Sequence, residues 1–120
     1  MSKAQITQDL VRELLNYDAH RGVLTWRPRG RKWFKNSGAQ QRWNARHADK
    51  PAFTFVHRGM RWGCILNHNQ LAHRVAWLYV HGCWPRTVRL ANGDATDIRL
   101  CNMIDRGAKH QVRERVRIAA

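Results

Sequence analysis

AHRVAWLYVHGCWP, residues 72–85, and VRLANGDATDIRLCNM, residues 88–103, are the two stretches on which the fold turns. In the first, Leu71, Ala72, Val75, Leu78 and Tyr79 recur at helical spacing and share one apolar face, which predicts a helix over 71–81. Gly82 and then Pro85 end it, because glycine accepts the left-handed closing conformation and proline cannot continue a helix. In the second, Thr87–Leu90 has the β-propensity of a short strand, and Ala91–Thr96 carries loop chemistry. Asp97 is placed to cap a helix running to Arg106, with Gly107 behind it. The expectation is a strand, a loop and a helix within residues 86–106.

Toward the N-terminus, Ile6, Leu10, Val11, Leu14 and Leu15 repeat at helical spacing, predicting a helix over Thr7–Tyr17 with Thr7 as its cap. Tyr17 to Gly22 reads as a turn, and Val23–Trp26 as a short strand. Residues 27–50 form a long basic loop with one helical turn at Gln41–His47. Ala52–Leu66 alternates apolar positions around Arg58-Gly59, a hairpin signature, and Asn67-His68-Asn69 reads as a further turn. The expected class is α+β: one small domain with an N-terminal helix over 1–20. The domain proper spans 21–110, comprising the basic loop 27–50, the hairpin 52–66, the helix 71–81 and the strand–loop–helix 86–106. A basic tail over 107–120 follows.

Charge narrows the function. The 120 residues carry 22 Lys and Arg against 8 Asp and Glu, a formal net charge of +14. Residues 21–50 hold nine cations against Asp49 alone, and no carboxylate occurs from Pro51 to Gly93. Such an excess predicts a polyanionic partner, nucleic acid before an acidic protein surface. It also leaves few of the hard anionic ligands that a divalent-metal enzyme needs. Cys64, Cys83 and Cys101 are odd in number and far apart, so neither a zinc knuckle nor a disulfide framework is expected. No run has signal-peptide or transmembrane character, so the expected setting is cytoplasmic, without a membrane partner.

The order of motifs resembles HNH endonucleases of the homing type found in phages and prophages. YDAHRGVLTWRPR at 17–29 is similar to that family's N-terminal segment, and NARHADKPAFT at 44–54 to the stretch entering its hairpin. AHRVAWLYVHGCWP resembles its AHRxxWxxxxGxWP helix, and VRLANGDATDIRLCNM lies where the family has IDHINGDxxDNRxxNL. The resemblance spans roughly 100 residues. It implies a strand, an Asn-Gly loop and a helix around one divalent ion, with an Asp ligand, a His general base and a second Asn or His ligand. Those three positions hold Arg89, Leu90 and Ile98 here. Asn92, Gly93, Asp94, Asp97, Arg99, Leu100 and Asn102 still match. The resemblance therefore implies a scaffold without its reaction centre: no catalytic residue, no metal and no cofactor, where the family would use Mg²⁺.

Asp94 and Asp97 are read as turn and cap residues rather than substitute ligands. His73, His81 and His68 are read as packing or solvated residues rather than replacement bases. In the basic segment, Arg27, Arg29, Arg31, Lys32, Arg42, Arg46 and Lys50 are expected to neutralise phosphates, with Arg58 and Arg61 from the hairpin. Trp33 and Trp43, with Phe34 beside them, are placed to stack on bases or to pack under guanidinium groups. Trp26, Trp62 and Trp77 are assigned to the core. The expected function is binding of double-stranded DNA without cleavage in a bacterial host cell. The alternatives are a phage inhibitor of a nucleic-acid-containing host defence complex, and a nicking enzyme with unfamiliar ligands.

Overall fold

Thr7 opens the first helix, its hydroxyl accepting the Leu10 N–H at 3.2 Å, and α1 runs Gln8–Leu14. The computed structural model describes residues 6–105. The helix does not reach Tyr17 as expected. Leu15 is extended, and from there burial alternates, Leu15 in and Asn16 out, Tyr17 half in and Asp18 out. That period of two belongs to a strand. Leu15–Asp18 is β1, antiparallel to β2 over Val23–Trp26 in the register Leu15↔Trp26 to Asp18↔Val23. The turn between them is held by the Asp18 carboxylate, which accepts the N–H groups of His20 and Arg21 at 3.1 and 3.0 Å. Gly22 closes it at φ 69°, and a Cβ there would lie 2.7 Å from the Arg99 backbone nitrogen.

The basic segment holds more structure than one turn. A 3₁₀ turn covers Arg31–Trp33, and α2 runs Ser37–His47, four residues earlier in its start than the sequence suggests. Asn36 caps it by accepting the Ala39 N–H at 2.8 Å. Periodicity could not reveal this helix, because none of its residues is buried. The chain then returns along β2, with Trp26 N–H to Lys50 carbonyl at 3.0 Å and Ala52 N–H to Leu24 carbonyl at 2.8 Å.

Next comes a three-stranded antiparallel sheet of β3 Phe55–His57, β4 Met60–Ile65 and β5 His68–Leu71. Arg58 and Gly59 form the expected first turn, both at positive φ, the geometry that follows the natural twist of a hairpin. The second turn falls at Leu66-Asn67, with φ 48° and 67°, rather than at 67–69. Leucine rarely adopts that conformation, which is why the sequence hid it. α3 then spans Ala72–His81, one residue in from the expected start, and Gly82 ends it at φ 81°.

The expected helix over Asp97–Arg106 does not form within the described residues. A 3₁₀ turn at Leu100–Asn102 leads into β7, Met103–Asp105, which pairs antiparallel with β6, Val88–Leu90. Met103 and Asp105 are buried with Ile104 between them less so, again a period of two. Asp97 caps no helix: its carboxylate accepts the Arg99 backbone N–H at 3.2 Å as a turn residue does, together with the Arg99 guanidinium and the Asn92 amide. The tail over 107–120, Gly107 as a helix stop, and the first five residues of the N-terminal segment all lie outside the described residues.

One apolar cluster forms the core: Val11 and Leu14 of α1, Leu24 of β2, Ile65 of β4, and Val75 and Trp77 of α3, with Ile98 and Met103, while α2 and β3 contribute no buried residue to it. The protein is thus a single α+β domain. α1 is fixed against α3 by the Gln8 amide and Arg12 guanidinium, which donate to the Tyr79 carbonyl at 3.1 and 2.9 Å. No helix among the described residues is long and apolar enough to cross a membrane.

Candidate nucleic-acid interface

The pairing register sorts the sheet into two faces. Residues directly opposite each other point the same way, so Phe55, Trp62 and Leu71 form one row, with His57, Met60, Cys64 and Asn69 on the same side. Ile65 and Gln70, on the other side, are buried toward the core. The first face is turned to solvent. Phe55 is 64% exposed, and its ring lies parallel to that of His57 at 9°, with centroids 6.0 Å apart. Together with Trp62, Gly63, Cys64 and Asn69 these rings line an open cavity of about 520 Å³. A second cavity of about 340 Å³ adjoins it at Cys64 and is walled by Trp26, Arg29, Trp43 and His47. The two share Cys64 as a lining residue, and together they mark a groove region between the sheet and α2.

Arg29 is the joint of that groove. Its guanidinium lies 4.1 Å from the Trp43 ring centre and 5.2 Å from that of Trp26. Its carbonyl accepts from the Gln40 and Asn44 amides, both at 3.1 Å, and its N–H donates to Asn44 at 2.9 Å. This set of contacts docks α2 without an apolar stripe. Burial lowers the Arg29 pKa, the direction expected of a partly desolvated cation.

The other sequence-selected cations separate into two groups. Lys32 pairs with Glu13 at 3.0 Å, and Trp33 donates to the same carboxylate at 2.9 Å, holding Glu13 below its usual pKa. Arg27 donates to the Arg12 carbonyl at 2.6 Å. Arg31 donates to the Phe34 carbonyl and to the Lys35 carbonyl, and Arg61 to the carbonyls of Phe53 and Thr96. These four cations fasten the loops. Arg42, Arg46, Lys50 and Arg58 are exposed and make no side-chain hydrogen bond or ion pair among the described residues. On α2, Gln40, Trp43, Asn44 and His47 face the body, which leaves Arg42 and Arg46 on the outer flank, one helical turn apart.

Loop 91–102 has the opposite character. Asp94 accepts the Thr96 hydroxyl at 2.6 Å and its N–H at 2.9 Å, and both bonds lower its pKa. Asp97 takes both arms of Arg99 at 2.9 and 2.7 Å and the Asn92 amide at 2.8 Å, and the Arg99 contact leads in bringing its pKa down to about 2. Asn102 donates to the Asp97 carbonyl and accepts the Asn92 N–H, both at 2.9 Å. Tyr17 donates to the Ile98 carbonyl, and Leu100 N–H to Ala19 at 3.0 Å, so the loop is sewn to the β1–β2 turn. Of the three positions where the resemblance places chemistry, Arg89 is exposed, Leu90 packs against the core, and Ile98 is fully buried in it. A guanidinium and two hydrocarbon side chains do not fit a divalent ion. Among the described residues no three His, Cys, Asp or Glu side chains gather as a ligand set.

The histidines are built in as well. His73 is buried on α3, which lowers its pKa, and the His81 ring packs 4.1 Å from that of Trp77. Trp77 is in the core as expected and Trp26 is packed against it, whereas Trp62 lies on the solvent face of the sheet. The sequence reading missed Phe55, His57 and Trp62 as one aromatic surface because it took 52–66 as an unbroken apolar alternation, which would put Phe53 and Phe55 on one face, and assigned Trp62 to the core. Phe53 is instead at φ 58° and buried, so the chain turns between them. No family model, curated protein or solved structure matches the chain.

Proposed function

We propose that this protein binds nucleic acid, double-stranded DNA in the first instance, through its phosphates and without cutting it. The observation that carries this reading is the split among its charges. Cations at Arg42, Arg46, Lys50 and Arg58 stand outward without counter-ions among the described residues, beside a groove whose lining has no carboxylate. Outward cations of this kind release counter-ions from a polyanion, which is the main source of affinity for duplex DNA. The resemblance to homing-type HNH enzymes supports the negative half. Hydrolysis needs a base and a hard cation, and Leu90 and Ile98 supply neither a proton acceptor nor a ligand.

Titration of a fluorescent 20-base-pair duplex between 50 and 200 mM NaCl tests the reading. Affinity is expected to fall steeply with salt, and Arg42→Ala with Arg46→Ala to reduce the log–log slope by about two, near one unit per phosphate contact. Supercoiled plasmid with Mg²⁺ or Mn²⁺ is expected to stay intact. A salt-insensitive affinity, or metal-dependent nicking abolished by Asp94→Ala, would overturn it.

A further inference from the structure

We infer that the aromatic face of the β3–β4–β5 sheet seats unpaired bases of the same nucleic acid. This rests on the phosphate-binding reading above, and it names the part of the ligand that a duplex alone does not offer.

Three observations converge on the sheet. Phe55 is the large apolar side chain left most open, at 64% exposure, and it lies on β3 on the same face as His57 and Trp62, whereas Val56 points to the other side of the strand. Phe55, His57 and Trp62 present ring surface around one cavity of about 520 Å³, a volume that admits planar aromatic groups. That cavity shares Cys64 with the cavity lined by Arg29 and Trp43, and Trp43 belongs to α2, the helix that carries Arg42 and Arg46 on its outer flank. Rings set beside a cationic track are the arrangement by which proteins hold single strands, since every base has a π-face and the backbone follows the charge. Bases stacked inside a duplex cannot reach such rings.

Charge chooses this occupant over a second copy of the chain. An exposed apolar sheet face is also a dimer surface in principle, but two chains of formal charge +14 each repel one another. A polynucleotide removes that repulsion while covering the rings.

Fluorescence anisotropy with three probes of equal length decides the matter: a blunt duplex, the duplex with a central three-nucleotide bulge, and the same bulge made abasic. Binding to the base-containing bulge is expected to be about tenfold tighter than to either control, a conservative figure for stacked bases. Phe55→Ala, at a side chain 64% exposed, is expected to reduce that ratio to near one. Arg42→Ala with Arg46→Ala is expected to weaken all three probes while keeping the ratio. Equal affinity for bulge, abasic bulge and duplex would overturn the base seat and leave the phosphate reading standing. A preference that survives Phe55→Ala would overturn it too. So would a protein-only dimer, seen by sedimentation velocity, that Phe55→Ala dissolves. Failure to bind any probe would overturn both readings.

Discussion

Loop 91–102 and the groove between the sheet and α2 treat their polar groups in opposite ways. In the loop, Asn92, Asp94, Asp97, Arg99 and Asn102 bond to one another and to the backbone, and Ile98 anchors them in the core. Along the groove, rings and cations are left facing solvent, and α2 is held by Arg29 rather than by buried apolar residues. Satisfied groups resist rearrangement and have little left to offer a ligand. Unsatisfied outward cations and open rings store interaction for a partner. The loop is architecture, and on the proposed reading the groove carries recognition.

The most severe way to break this contrast is Ile98→Asn. It buries an amide in a fully enclosed apolar position and should cost about 3 kcal/mol in urea unfolding. A change below about 1 kcal/mol would mean that the loop opens readily and is no fixed frame. The combined replacement Arg89→Asp, Leu90→His and Ile98→Asn, which would rebuild the ligand set that the resemblance implies, must carry that same penalty. Gly63→Ala strikes beneath the sheet: its Cβ would meet the Phe53 ring at 2.5 Å, and a loss of about 2 kcal/mol is expected. Retained stability would show that Phe53 has somewhere else to go.

Arg29→Ala sharpens the comparison from the groove side. Removing one partly desolvated cation–π clamp is expected to cost about 1 kcal/mol and to loosen α2 selectively, read as faster amide exchange over 37–47 than over 72–81. Uniform exchange changes would argue against a separately docked helix. The mildest test is acid. Asp97 is depressed from 3.8 to about 2, so its stabilising contribution is complete above the ordinary aspartate value and lost as pH falls through about 2. Asp97→Asn should lose stability relative to the parent near neutral pH, and the gap should close toward pH 2. A gap independent of pH would mean that the carboxylate charge is not what holds Arg99.

The sequence makes the groove harder to see than the helices. α3 is legible because its apolar stripe and Gly82 act together, and the Arg58-Gly59 hairpin because its turn residues demand positive φ. α2 has no stripe to detect, only the Asn36 cap and the polar ties of Gln40 and Asn44 to a distant carbonyl. Phe53, Leu66 and Asn67 take left-handed conformations that turn the chain where alternation would carry it straight. That is why Phe55 and Trp62 could not be assigned to solvent from their spacing. The loop misleads in another way. Asp97 has the identity of a helix cap, but Arg99 two residues on captures it, and Met103 leads a strand instead. Competition between side chains for one carboxylate is not visible in a pattern of residue types.

Backbone amide shifts followed while duplex DNA and Mg²⁺ are added give the most direct test of the division between frame and groove. Changes are expected to concentrate on residues 37–50 and 55–64, with 91–102 nearly silent. Shifts centred on Arg89–Ile98 would contradict it, because the closed loop would then be the site that meets the phosphate.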